Sequence, residues 1–173
     1  MNLNPTPPED TPIHGFDRTR CGCEMCRIPC KHVPGALDPE DLPRMCPENH
    51  DIFSWAEEHL RALTNKPYPT LVPARQANGS CHWHFDGLCA VHDVSPFGCA
   101  FFDSHMSYEE AEKRREATIA SRLKDKDKKG LYYQVWQHLC RLGKIGRPGN
   151  RAGMRAEGQK LLRTIERRMG DLG

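Results

Sequence analysis

Apolar residues recur at helical spacing in three separate stretches of the chain. From Asp51 to Leu63 they fall at Ile52, Trp55, Ala56, Leu60 and Leu63, which predicts one amphipathic helix closed by Asn65 and Pro67. Leu131–Leu142 sets Tyr132, Val135, Trp136, Leu139 and Leu142 on one stripe. Met154, Leu161, Leu162, Ile165 and Met169 form the apolar face of a last helix whose other face is strongly basic. Ahead of both, Ser107-Tyr108-Glu109-Glu110 is a capping box opening a helix to about residue 124, with a charged turn over 125–130 behind it. A shorter helix over about 39–45 is predicted by Asp38 as N-cap, Pro39 in the first position and Asp41 in the first turn. It delivers Cys46 at its end.

The alternating signal is confined to the middle of the chain. Residues 70–72 read as a short strand, and residues 81–92 as a β-hairpin with Asp86-Gly87 at its turn. Ser95-Pro96-Phe97-Gly98 then forms a turn that presents Cys99. Residues 1–19 hold four prolines and few large apolar groups, and read as a disordered or extended arm. The pattern is that of an α+β protein: the arm at 1–19, a small cysteine-rich domain of short helices and a hairpin at 20–103, and a basic α-helical appendage at 104–173.

Charge follows the same division. The net charge of +2 conceals −6 over residues 1–103 and +8 over 104–173, so the two parts face each other or face different partners. With 38% apolar residues, 14 glycines, 14 prolines and a mean hydropathy of −0.71, the chain can bury only a modest core. The N-terminus has neither a basic segment nor an apolar one of the secretory kind, and no stretch approaches the roughly 18 apolar residues of a membrane span. A cytoplasmic protein without a membrane partner is therefore expected.

The thiols change the picture most. Cys21, Cys23, Cys26 and Cys30 fall within ten residues, and Cys46, Cys81, Cys89 and Cys99 follow within reach of a compact fold. In a reducing compartment thiols this dense favour metal over disulfides, because thiolates are soft ligands for zinc and for iron–sulfur clusters. Gly22 and Pro29 favour a tight loop in which the side chains converge. The spacing C-x-C-x2-C-x3-C is neither that of a zinc ribbon nor that of the usual iron–sulfur runs. Eight thiolates complete two four-coordinate sites, or one site with spare redox thiols. The density leans towards an iron–sulfur cluster, with zinc close behind. His82, His84 and His92 on the hairpin are secondary ligand candidates; His14, His32, His50, His59, His105 and His138 are weaker, and Cys140 reads as a packing residue.

The Cys21–Cys30 cluster, the Leu37-Asp38-Pro39-Glu40-Asp41-Leu42 helix start and the block Cys81…Gly87-Leu88-Cys89-Ala90-Val91…Pro96…Cys99 resemble the YkgJ-like cysteine-cluster family. Its members are described as zinc- or iron-chelating domains, and a domain of this type also occurs in a flagellin lysine N-methylase. The resemblance spans residues 20–102 and implies metal binding by all eight cysteines of the matched block. Two departures stand out. The family's Cys-Cys pair is here the separated Cys26 and Cys30, and the arginines flanking the last cysteine block are replaced by Ser95 and Ala100. What it implies is a metal-binding protein whose metal mainly holds the fold and presents a partner surface. The alternative is an iron–sulfur redox or group-transfer enzyme of the methylase kind.

Two basic features remain. Gly143–Gly153 is a glycine-rich loop entering a helix, where Arg147 and Arg151 suit a phosphate, although the P-loop pattern is missing. The basic face of the last helix (Arg151, Arg155, Lys160, Arg163, Arg167, Arg168) suits nucleic acid or an acidic protein partner, the acidic N-terminal part included. No Ser/His/Asp order, paired-carboxylate pattern or dinucleotide fingerprint points to a catalytic reaction.

Overall fold

The computed structural model describes residues 11–19 and 21–172. The first ten residues of the predicted arm lie outside the described residues. Residues 11–19 are anchored: Ile13 and Phe16 exchange backbone hydrogen bonds at 3.1 and 2.9 Å, and Thr19 N donates to the Ala100 carbonyl at 2.7 Å. Ile13 packs with Phe97, Ala100 and Phe101 in a small buried cluster, which explains why this stretch holds to the domain.

The cysteine run winds into two single-turn helices, α1 (Glu24–Arg27) and α2 (Pro29–His32), where a loop was expected. Pro29 in the first position is compatible with helix because the amide it lacks is one that would go unpaired. Helix α3 is Asp41–Met45, two residues later than Asp38 as N-cap predicts. Asp38 instead turns into the protein, where its Oδ1 accepts from Glu40 N at 3.0 Å.

Helix α4 (Ile52–His59) is capped by Asp51, whose Oδ2 accepts from Ser54 N at 2.9 Å. It stops four residues short of the predicted end, and the chain continues as strand β1 (Leu60–Leu63), antiparallel to β2 (Thr70–Pro73) in the register Leu60↔Pro73 and Leu63↔Thr70. Helical and alternating periods both turn Leu60 inward, so the apolar pattern did not separate them. Ala62 on the free edge of β1 donates to Lys144 O at 3.0 Å and accepts from Gly146 N at 2.8 Å. That contact ties the glycine-rich loop to the sheet.

Strands β3 (His84–Phe85) and β4 (Leu88–Cys89) form the expected hairpin, with Asp86 and Gly87 at φ 49° and 75° as a two-residue turn of this kind requires. A single turn of 3₁₀-helix at His92–Val94 precedes α5 (Phe97–Ala100), which carries Cys99.

Ser107 caps α6 (Tyr108–Asp127), its Oγ accepting from Glu110 N at 3.1 Å. The helix runs three residues into the predicted turn. Helix α7 (Leu131–Arg141) buries Tyr132, Val135 and Leu139 against Leu37, Leu42, Trp55, Leu60 and Leu71. Tyr132 donates to Leu37 O and accepts from Leu71 N, both at 2.8 Å. Trp136 Nε1 donates to Leu63 O at 3.0 Å. This part of the predicted appendage therefore completes the main core. Helix α8 (Arg151–Gly170) behaves differently: it buries no residue, and Leu162, Ile165 and Met169 of its apolar face are exposed. It is held at its N-terminal half, where Glu157 pairs with Lys31 at 2.6 Å and His32 at 2.5 Å.

Two buried acids join these parts. Asp38 Oδ2 accepts from Thr118 Oγ1 on α6 at 2.7 Å and meets His14 Nε2 at 2.8 Å. Asp41 Oδ2 accepts from Asp38 N at 2.7 Å and from Phe97 N at 2.8 Å, while its Oδ1 pairs with Arg44. Burial lifts the Asp41 carboxyl to about 6, against the pull of Arg44.

Candidate metal centre

Cys26 on α1, Cys23 at its N-cap and Cys21 just before it converge at the start of this single turn, and the segment leading into α6 brings a histidine to them. Ligand atoms of Cys21, Cys23, Cys26 and His105 all lie within 4.8 Å of one another. Cys23 Sγ stands 3.5 Å from Cys26 Sγ and 3.5 Å from His105 Nε2. Ser104 steadies the group: its Oγ lies 3.1 Å from Cys26 Sγ, and its amide donates to that sulfur at 3.4 Å. His105 N donates to Asp103 Oδ1 at 2.8 Å, which fixes the backbone where the imidazole leaves it.

The Cys23 thiol is drawn down to about 6, first by the backbone amide of Cys26 and then by His105 and the Cys26 side chain. A thiol that ionises near neutrality is a ready ligand for a soft cation. A group of three thiolates and one imidazole matches the donor chemistry of closed zinc sites. This group can hold a metal ion.

A second set of thiols faces a neighbouring cavity of about 360 Å³. Cys30 from α2, Cys81, Cys89 from β4 and Cys99 from α5 line it, and Cys21 and Cys26 reach it from the first group. Burial pushes all four thiols up, Cys81 to about 12; Cys30, Cys81 and Cys99 also feel others of the set as like charges, whereas the Val91 amide and Arg18 pull Cys89 part of the way back. Such thiols stay protonated unless a cation takes the place of their protons. They are spread too widely to meet on one ion: among the described residues, the Cys21 group alone has three or more such ligand atoms within 4.8 Å of one another. His84 lines the same cavity, and its buried Nε2 has no hydrogen-bond partner. His92 lies at the edge of the cavity. His82 does not share that face. It pairs with His59 at 3.0 Å beside Trp83.

The floor of the cavity is a close crossing of two backbones. Gly35 and Gly98 approach so tightly that a Cβ on Gly98 would stand 2.8 Å from the Gly35 carbonyl carbon, and a Cβ on Gly35 would overlap Gly98. Only glycine fits on either side.

No family model, curated protein or solved structure matches the chain. The site rests on its own geometry.

Of the eight cysteines expected as ligands, the structure gathers Cys21, Cys23 and Cys26 in one group and Cys30, Cys81, Cys89 and Cys99 round the cavity. Cys46 belongs to neither; its thiol meets the carbonyls of Pro47 and His50 at 3.7 and 3.8 Å. Cys140 packs against the main core, in keeping with a packing role. All nine cysteines are free thiols. The sequence reading ranked His105 only among the weaker histidine candidates. No helix among the described residues is long and apolar enough to cross a membrane.

Proposed function

We propose that the protein binds one zinc ion through Cys21, Cys23, Cys26 and His105. In this reading the ion is structural, clasping the cysteine helices to the start of α6. The observation that carries it is the spacing of the ligand atoms. A tetrahedral zinc ion with its usual bond lengths holds two sulfurs ~3.8 Å apart, and a sulfur and a nitrogen ~3.6 Å apart. The corresponding distances here are both 3.5 Å. A [4Fe–4S] cluster binds each thiolate to a different iron and a [2Fe–2S] cluster divides its four ligands between two irons, so either spreads some of them wider than the 4.8 Å that contains this whole group. For this group, zinc takes precedence over the iron–sulfur lean of the cysteine spacing. The resemblance to the YkgJ-like family supports metal binding of this kind, and a reducing cytoplasm suits it.

A second reading belongs to the cavity. Four thiols facing one volume, but too far apart for one ion, suit a multinuclear iron–sulfur cluster, the alternative that carries redox or group-transfer chemistry. One experiment separates the two. Protein purified without oxygen is analysed for zinc, iron and labile sulfide, with an absorption spectrum, as wild type, Cys26→Ser and Cys81→Ser. The zinc reading requires one zinc per chain that Cys26→Ser loses and Cys81→Ser keeps; wild-type zinc in Cys26→Ser refutes it. The cluster reading requires iron and sulfide that Cys81→Ser loses, and colourless wild-type protein without iron refutes it.

A further inference from the structure

A second cavity, of about 530 Å³, opens on the opposite side of the Gly35–Gly98 crossing. Six cationic side chains line it, from four parts of the chain: Lys66 in the β1–β2 connection, Arg75 after β2, Arg115 and Arg122 on α6, and Arg147 and Arg151 at the glycine-rich loop and the start of α8. No carboxylate is among its lining residues. Arg115 pairs with Glu112 on its own helix. Lys66, Arg75, Arg122, Arg147 and Arg151 form no ion pair among the described residues.

Arg122 decides what this cavity is for. It is 5% exposed, and its Nε has no hydrogen-bond partner. Its other donors reach the hydroxyls of Thr70 and Thr118, each at 3.4 Å, the long end of the hydrogen-bond range. The buried acid that shares Thr118 with it is already engaged: Asp38 accepts from Thr118 and Glu40 N and meets His14. The Tyr68 ring lies 5.7 Å from the guanidinium and adds a weak cation–π attraction. A guanidinium cannot escape burial by losing its proton, so a buried one without a counter-ion is costly. Two further arginines crowd the rim: Arg75, held by a hydrogen bond to Pro148 O at 3.3 Å, feels the like charge of Arg147.

The geometry points to a binding site for a small, multiply charged oxyanion, with Arg122 at its floor and Arg75, Arg147 and Arg151 at its rim. Guanidinium forks suit phosphoryl and carboxylate oxygens alike. The volume is that of a small-molecule site, and the spread of the cations over four segments calls for more than one negative charge. This site does not rest on the metal reading.

The test is calorimetric titration of the full metal-loaded chain with pyrophosphate and, separately, with tricarballylate, at low and at physiological salt. One ligand per chain is expected, binding more weakly as salt rises. Tighter binding of pyrophosphate assigns the site to phosphoryl compounds, and tighter binding of tricarballylate to polycarboxylates. Arg147→Gln and Arg151→Gln, both at exposed positions, should each weaken binding about tenfold or more, the loss of one charge-assisted hydrogen bond. Arg122→Met should abolish it; should that variant fail to fold, the two rim variants decide alone. Zinc content should stay at the wild-type level in both rim variants. Absence of binding by either ligand below about 1 mM, or unchanged affinity in both rim variants, overturns the proposal.

Discussion

His105→Ala is the sharpest test of the candidate centre, because the imidazole is exposed and carries little of the fold. Its ring comes within 3.5 Å of Cys23 Sγ, and its own backbone is fixed by Asp103. Removing it leaves three thiols at and before α1 and an open fourth position. Closed zinc sites in small peptides are worth about 10–16 kcal/mol apparent, so an even share among four ligands is ~2.5–4 kcal/mol, or roughly 70- to 900-fold in affinity. Ser104→Ala gives the scale of a supporting residue: it removes one contact to Cys26 Sγ and should cost about tenfold. Competition for zinc against a coloured chelator at fixed pH measures both, with circular dichroism as the folding control. The expected order is wild type, then Ser104→Ala, then His105→Ala far below. If His105→Ala binds zinc within about threefold of wild type, the histidine is not a ligand and the distance argument fails.

Tyr132→Phe removes a hydroxyl that serves Leu37 O and Leu71 N in the main core. Two buried backbone groups then lose a partner, and denaturant unfolding should show a loss of about 2–5 kcal/mol; a loss under about 1 kcal/mol would mean that water replaces the hydroxyl. Asp41 has its folded pKa lifted to about 6 from 3.8, so the folded state holds this proton more tightly than the unfolded one. Stability from that group is complete below about pH 4 and is lost as pH rises to about 6, by ~3 kcal/mol for two units. His14, raised chiefly by its hydrogen bond to Asp38, adds a loss of the same sign above 6.5. The unfolding free energy of Asp41→Asn minus that of wild type should therefore rise between pH 4 and 6; a flat difference counts against the buried proton. Gly35→Ala forces two backbones apart, and should lower the thermal midpoint by an amount equivalent to about 2–3 kcal/mol; an unchanged midpoint contradicts the tight crossing.

The long helices were legible because their caps and stripes agree. Ser107 caps α6 as its sequence suggests, and Tyr132, Val135 and Leu139 turn inward as spaced. The hairpin followed from Asp86-Gly87. The end of α4 was not legible, since Leu60 is buried under either period and the choice lay with β2, ten residues away. The apolar face of α8 has correct spacing and yet lies exposed: periodicity states which residues share a face, not whether a neighbour covers it. The centre was half legible. Local density picked out Cys21, Cys23 and Cys26, but His105 comes from a segment 79 residues beyond Cys26, and nothing local announces it. Cys46 matched in order along the chain and stands apart in space. Arg122 was overlooked because a lone arginine on a charged helix looks solvated; only the fold buries it.

The Gly35–Gly98 crossing separates the thiol cavity from the cationic one, and both glycines line both volumes. Pro29, Pro34 and Phe102 flank the crossing and line both volumes as well. A ligand on the thiol side grips Cys99, the next residue after Gly98, and so grips the partition itself. Any coupling of two binding events across this shared wall is reciprocal: whatever factor an oxyanion imposes on occupancy of the thiol cavity, that occupancy imposes on the oxyanion.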